Sequence, residues 1–368
     1  MSAWLEVKKN KGSGGVDGIT IDIFNINVHQ NLWEIQRLLK ENRYMPDPVL
    51  RTYIEKDNGK KRPLGIPTIR DRVVQQAVRR IIEPIYDKDF YQHSYGFRKG
   101  YSAHQAVETV RQAKRAGYDY VLDLDIQSFF DEIPHHHLME KVKERISDGK
   151  VLTLISNWLT AGVMEDDQFH ETDIGSPQGG VISPLLANIY LNHFDWEMKR
   201  RGFPVVRYAD DAIVFCKSRE KANQAYEIAQ TILEEQLQLR MHPIKTKVVH
   251  FDEGFRFLGF DFWKEYMVFP EDKIRKQKDK IRKVTRRQQG KNLEAMIIKL
   301  NEVIRGFGNY YKVGNVKSKF VRFDQWIRMR VRAFMRKKKS TVSNRLIPNK
   351  VLDKAGLVSL ESLLTARS

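Results

Sequence analysis

The apolar residues keep two rhythms, and the change from one to the other divides the chain into three stretches. In residues 1–118 the clearest feature is Leu50–Ile66, where the extended runs VLRTYIEK and KRPLGIP are joined through Asp57-Asn58-Gly59. Asn-Gly favours positive φ at both turn positions, so this segment is predicted to be a hairpin. From Thr68 to about Lys88, Val73, Val74, Ala77, Val78, Ile81 and Ile82 recur at helical spacing. Residues 119–263 alternate strands with helices. The pattern predicts a strand over Asp119–Ile126 and a helix over Ser183–Lys199, with Pro184 at its start, where a missing N–H is harmless. Two strands follow across Phe203–Lys217, broken by Ala209-Asp210-Asp211. Then come a helix over Ser218–Gln236 and extended chain over Lys247–Phe262. Residues 264–345 read as mostly helical. Leu293, Met296, Ile297, Leu300, Val303, Ile304 and Phe307 form one stripe, and basic helices flank it over Asp272–Gln288 and Lys317–Lys339.

Charge sharpens this division. The chain of 368 residues carries a net charge of +18. Lys264–Arg345 holds 25 Lys/Arg against 7 Asp/Glu, which leaves 39 of each sign in the remainder. All the excess is therefore in the last helical stretch, where a polyanion would neutralise it, and nucleic acid is the commonest such partner. A membrane surface is the competing partner, but there is no apolar run of about 18 residues and no signal-peptide pattern. One cysteine excludes a disulfide framework and a cysteine-cluster zinc site, in keeping with a reducing cytosol.

The balanced part of the chain concentrates carboxylates. Asp210-Asp211 stands between the apolar segments VVR and AIVF, where two adjacent anions repel each other unless a cation lies between them. In Val121-Leu122-Asp123-Leu124-Asp125-Ile126, period-two alternation puts Asp123 and Asp125 on one face. Should this strand lie beside the hairpin, Asp125, Asp210 and Asp211 converge and suit two Mg²⁺ ions about 3.5–4 Å apart. An Asp-Asp pair taken alone is more often an ordinary turn. His135-His136-His137 reads as a solvated first helical turn, because consecutive helical side chains do not face one another.

An ordered series of motifs then resembles the reverse transcriptases encoded by group II introns. It runs KNKGSGGVDG (9–18), GKKRPLGIPTIRDRVVQQAV (59–78), YGFRKGYSAHQAV (95–107), VLDLDIQSFFDEIPH (121–135), GSPQGGVISPLLANIYL (175–191), RYADDAIVF (207–215), MHPIKTKVV (241–249) and FRFLGFDF (255–262). LNEVIRGFGNYYKVGN (300–315) looks like the thumb or maturase region called domain X. The resemblance implies an α+β right-hand polymerase. Its parts would be fingers with a reduced N-terminal extension over 1–118, a ferredoxin-like palm over 119–263, and an α-helical thumb with domain X over 264–368.

Residue roles follow from the resemblance. Asp125, Asp210 and Asp211 match the catalytic, metal-holding aspartates, with Mn²⁺ a possible substitute for Mg²⁺. Lys56 and Arg62 fall where fingers contact the incoming triphosphate, and Phe130 matches the steric gate that favours dNTPs. Phe130 also reads as a core aromatic beside Phe129. Gln178 and Gly179 match the segment that contacts template and nascent base pair, and Lys245 matches a palm lysine that gives a proton to leaving pyrophosphate. Lys273, Arg275, Lys276, Arg282, Lys283, Arg286, Arg287, Arg328 and Arg332 are the basic residues expected to grip nucleic acid.

The expected partners are an RNA template with DNA primer, dNTPs and group II intron RNA, in a bacterial cytoplasm. The single Cys216 predicts no HNH endonuclease domain, since that domain uses paired cysteines. The other functional expectation is a stand-alone relative recruited to DNA repair or phage defence. A maturase without polymerase activity would be expected to lose the carboxylates, and all three are present.

Overall fold

The predicted hairpin forms: β1 (Val49–Glu55) pairs antiparallel with β2 (Lys61–Ile66), and Gly59 takes a φ of +78° between them. The structure, a computed structural model, describes residues 1–55, 59, 61–286, 290, 292–337 and 345–365. Lys56, the Asp57-Asn58 tip and Arg287 lie outside the described residues. Periodicity gave no sign of β4 (Val163–Glu165) and β5 (Gln168–His170), whose strands are three residues each. They extend the hairpin into a sheet of order β2-β1-β4-β5, with β4 parallel to β1.

The helix Ile69–Asp87 starts where the sequence predicts. The Thr68 hydroxyl accepts the Asp71 N–H at 3.2 Å and donates to the Asp71 carboxylate at 2.8 Å, a reciprocal cap. Asp71 is fully buried and also accepts the Tyr44 hydroxyl at 2.6 Å. Tyr44 in turn accepts the Trp158 indole N–H at 3.1 Å. The carboxylate is thus tolerated by hydrogen bonding, although burial still pushes its pKa up.

A second sheet has the order β6-β7-β3-β8, made from β3 (Tyr120–Asp125), β6 (Val205–Tyr208), β7 (Asp211–Cys216) and β8 (Lys247–His250). The helices Ser183–Arg200 and Arg219–Gln230 pack on it, which gives the α+β class the sequence implies. Leu122, Leu124, Val205, Val214 and Leu186 are in its core. The helix predicted over Ser218–Gln236 is α-helical only to Gln230. Thr231–Gln236 is a π-turn, with Leu237 N–H bonded to Ile232 C=O at 3.0 Å.

The run predicted as extended over Lys247–Phe262 is interrupted twice. After β8 the chain turns at Gly254 (φ +82°), and Gly259 (φ +73°) separates β9 (Phe255–Phe257) from β10 (Phe260–Trp263). β11 (Tyr266–Val268) completes a three-stranded antiparallel meander.

The chain parts into two compact units, residues 1–113 with 117–249, and residues 114–116 with 250–368. In the second unit the meander is followed by helices Glu271–Val284, Leu293–Tyr311 and Lys317–Arg336. The predicted stripe is its core, with Met296, Ile297, Leu300, Ile304 and Phe307 buried beside Phe269, Tyr311, Phe320 and Phe323. Among the described residues no helix is long and apolar enough to cross a membrane.

Candidate active site and nucleic-acid interface

The antiparallel register of β3 and β7 sets Asp125 directly opposite Asp211. The strand alternation read from the sequence holds: Leu122 and Leu124 are buried, while Asp123 and Asp125 share the more open face. Asp210 occupies the turn between β6 and β7, which Ala209 makes possible by taking a φ of +62°. Burial holds the Asp210 carboxyl above its ordinary pKa. The nearby Asp125 charge adds to this, while Arg62 and Arg207 oppose it. Asp210 is therefore close enough to feel the charges of two loci predicted from separate motifs, Asp125 and Arg62.

Asp125 is pinned by His242 and Thr246, which the sequence did not single out, and by Lys245, which it did. Its carbonyl accepts from His242 N–H at 2.8 Å and from the Thr246 hydroxyl at 3.1 Å. The Lys245 ammonium lies 3.1 Å from both Asp125 carboxylate oxygens. A cation is thus already drawn to the position where the sequence calls for one. The donors are all hard oxygens, which fits Mg²⁺ or Mn²⁺ rather than a soft metal. As they stand the carboxylates do not close into a cage, since no three His, Cys, Asp or Glu groups among the described residues cluster at metal-holding distance. With Asp125 paired to Lys245, one of the expected ligands is turned to an ammonium.

Asp123, on the same strand face, has its pKa pushed up to about 6 by burial, with Asp125 adding to the shift and Lys247 opposing it. A carboxyl whose folded-state pKa lies above its ordinary 3.8 favours the folded state in its protonated form. Its penalty is absent below pH 3.8, grows between 3.8 and about 6, and is complete above that. In metal-free buffer Asp123→Asn is therefore expected to stabilise the protein at pH 7.5 by about 1–2 kcal/mol. Only a small fraction of that gain is expected at pH 4, and denaturant titrations at the two pH values check this.

A separate cavity of about 320 Å³ is lined among others by Arg51, Tyr53, Gly65, Phe130, Ser176 and Gln178. Its wall includes β1 residues and the loop before the helix Ser183–Arg200. Gly65 N–H donates to Gln178 C=O at 2.8 Å, and a Cβ on Gly179 (φ +125°) would stand 2.5 Å from the Gly65 carbonyl. The close backbone approach that Gly179 permits is to the hairpin itself. Arg62 lies on the opposite face of β2 from Pro63 and Gly65, which line the cavity.

Both readings of Phe130 stay open, since it packs against the core and also lines the cavity. Phe129 is fully buried, whereas Phe130 is half-buried, meets Phe129 edge-on at 5.2 Å and lines the cavity. The Phe130 carbonyl accepts Ser176 N–H at 2.7 Å, which fixes the backbone that carries the ring. His135 departs from the solvated turn expected of the triplet. It is half-buried and bonded through Nε2 to Gly175 C=O at 2.6 Å, and burial lowers its pKa. That bond ties the Gly175–Gly179 loop to the start of the helix His135–Lys143.

The basic residues of the second unit separate into two groups. Arg275, Arg282, Lys283 and Arg286 are exposed, and Lys273 and Lys276 are partly so. Arg282 pairs with Asp279 at 2.6 Å and, with Lys278, lies over the Trp326 ring. Arg332 must be withdrawn from the expected grip. It is 4% exposed, and its guanidinium donates to Ile347 C=O at 2.8 Å and Asn349 Oδ1 at 2.5 Å. Arg328 is paired with Asp353 at 2.8 Å, with a side chain only 15% exposed. Periodicity alone does not separate such packing arginines from solvent-facing ones.

An antiparallel sheet presenting paired carboxylates at a strand end and a turn, with a hairpin arginine beside them, defines the palm type of nucleotide-polymerising site. The comparisons agree. Residues 54–262 match the family described as reverse transcriptase (RNA-dependent DNA polymerase), more than half of the chain, and the chain belongs to that family. Residues 274–351 match the group II intron, maturase-specific domain. Protein YkfC of Escherichia coli (strain K12) is 37% identical over 289 residues, 68% of this chain and 76% of its own. The group II intron-encoded protein LtrA of Lactococcus lactis subsp. cremoris is 32% identical over 324 residues, 70% of this chain and 54% of its own. The chain thus spans about half the length of that relative. Telomerase from Candida albicans shares the fold, with a TM-score of 0.50 at 12% identity over 83% of this chain and 60% of that one. The chain is accordingly a reverse transcriptase with a group II intron maturase domain, a combination for which the family implies divalent metal ions and RNA binding.

Proposed function

We propose that the chain extends a DNA primer along an RNA template from dNTPs, and that it binds group II intron RNA as a splicing maturase and in retrohoming. The observation that carries the polymerase reading is the placement of Asp125 opposite Asp211, with Asp210 and Arg62 in electrostatic reach. On this reading residues 1–118 are fingers, 119–263 palm and 264–368 thumb with domain X. Asp125, Asp210 and Asp211 would hold two Mg²⁺ ions, which would supply neutralisation of the charge that develops in phosphoryl transfer. Arg62, together with Lys56, binds the triphosphate through charge-assisted hydrogen bonds. Phe130 bears against the sugar edge that would carry a 2′-hydroxyl, and Gln178 and Gly179 border the nascent base pair. Lys245 Nζ gives a proton to the leaving pyrophosphate, leaving Asp125 as it does so. A bacterial cytoplasm is the setting in which such a chain meets intron RNA.

Extension of a primer on an RNA template with dNTPs, NTPs or chelator in parallel tests this reading. Product is expected with dNTPs alone and should vanish on chelation. Product unaffected by chelator would remove the metal assignment. The intron half is tested by binding to intron RNA across a salt series. Arg275→Ala or Arg286→Ala should each reduce the log–log salt slope by about 1. Arg332→Ala should leave that slope alone and instead lower stability by roughly 1.5–3 kcal/mol through loss of buried charged hydrogen bonds. A slope that falls equally in all three variants would show that Arg332 does reach phosphate. Recruitment to repair or phage defence has no observation in its favour, and the maturase-domain match favours the intron.

A further inference from the structure

Directly beneath the Asp210 turn lies a buried ion pair that the proposed mechanism does not use. Arg207 and Asp195 are 1% and 0% exposed, and the guanidinium donates through Nε at 2.8 Å and Nη2 at 2.6 Å to the Asp195 carboxylate. A pair sunk this deep contributes little net stability over an apolar pair of the same volume, so its presence asks for another role. The third nitrogen supplies one. Arg207 Nη1 donates at 2.8 Å to the carbonyl of Ala209, the residue whose left-handed backbone creates the turn, and at 3.0 Å to Asn188 Oδ1. A left-handed φ at alanine is strained and persists only where its surroundings enforce it.

The enforcement comes from two sides. The Asn188 amide donates to Gly96 C=O at 2.8 Å, and a Cβ at Gly96 would stand 2.3 Å from the Ala209 nitrogen. The segment carrying Gly96 is itself laid along β6, with Tyr95 N–H bonded to Arg207 C=O at 2.8 Å and Arg207 N–H to His93 C=O at 3.0 Å. Arg98 secures that segment from behind, donating to Tyr91 C=O at 3.0 Å and Ser94 C=O at 2.9 Å. Five residues from three separated segments, Gly96, Asn188 with Asp195 on one helix, and Arg207 with Ala209, thus form one clamp around a single turn.

We infer that Arg207 is a positioning residue for Asp210 and Asp211. Held by Asp195, it fixes the Ala209 carbonyl from below while Gly96 and Asn188 close the turn from the side, so that the carboxylates are presented in one geometry. The inference rests on the assignment of Asp210 as catalytic. Its signature is a loss in the chemical step of each correctly folded molecule, with substrate binding left intact.

The test compares wild type with Arg207→Lys, Gly96→Ala, Asn188→Ala and Asp210→Asn. It measures primer–template affinity, the active fraction from a burst titration, and the single-turnover rate and apparent KM for one dNTP. Arg207→Lys keeps a positive charge for Asp195 but loses the fork that reaches Ala209 and Asn188. Its rate per active enzyme should fall roughly 10- to 100-fold, as expected for a small misplacement of reacting groups. Primer–template affinity and KM should stay within about threefold of wild type. Gly96→Ala should show the same split without touching the ion pair, and Asn188→Ala provides a milder version should Gly96→Ala not fold. Wild-type rates per active enzyme in Arg207→Lys and Asn188→Ala, with only the active fraction or melting temperature reduced, would overturn the inference. Should Asp210→Asn remain active, the catalytic assignment falls as well. An inactive Asp210→Asn beside a fully active Arg207→Lys removes the clamp alone.

Discussion

Asp210→Asn is expected to lower the rate of nucleotide incorporation by at least about a thousandfold, the equivalent of several kcal/mol of lost charge stabilisation. Asparagine keeps the size of the side chain and one oxygen, so the turn and its clamp should survive. What it removes is the anion. The surroundings of Asp210 show why that matters: the residue is half-buried, and burial with the nearby Asp125 charge already disfavours its ionisation, Arg62 and Arg207 being in partial opposition. Binding of primer–template should be unchanged, because the exposed basic residues of the second unit lie on a separate part of the chain. Rapid-quench incorporation at matched occupancy measures the effect, and a loss below tenfold would contradict the assignment.

The second large effect is on sugar choice. Phe130→Ala is expected to raise NTP incorporation relative to dNTP by roughly 10- to 100-fold, since the contact it relieves is one of overpacking worth about 1–3 kcal/mol. The ring can act as a stop because it is not free to retreat. Its backbone carbonyl is bonded to Ser176 N–H at 2.7 Å, and the buried Phe129 ring lies against it at 5.2 Å. Steady-state incorporation of matched NTP and dNTP by the two proteins gives the ratio. An unchanged ratio would return Phe130 to the role of a core aromatic.

Much of this was legible in the sequence, and the reasons are physical. The Asn-Gly turn signal marked the hairpin, while apolar periodicity found the helix Ile69–Asp87 and the strands that carry the aspartates, because those elements bury a continuous face. Alternation placed Asp123 and Asp125 together, and the β3–β7 register then brought Asp125 opposite Asp211. Short elements escaped, since β4 and β5 have too few residues to show a period. The interruptions of Lys247–Phe262 were marked by Gly254 and Gly259, whose positive φ values end each strand. Buried charge was the harder case. Arg332 and Arg286 look alike in a basic helical stretch, and only packing shows that one donates inward while the other faces solvent. Arg207 and Asp195 stand twelve residues apart on a strand and a helix, so their pairing depends on tertiary contact. Lys245 was singled out for a proton, but its position against Asp125 was not foreseen.

The most direct measurement is extension of a labelled DNA primer on a defined RNA template by the wild-type chain, with Mg²⁺ and the four dNTPs, read as product length. The account predicts template-directed cDNA whose sequence complements the RNA and whose synthesis stops when Mg²⁺ is chelated. Absence of any extension on RNA, with primer–template demonstrably bound, would contradict it.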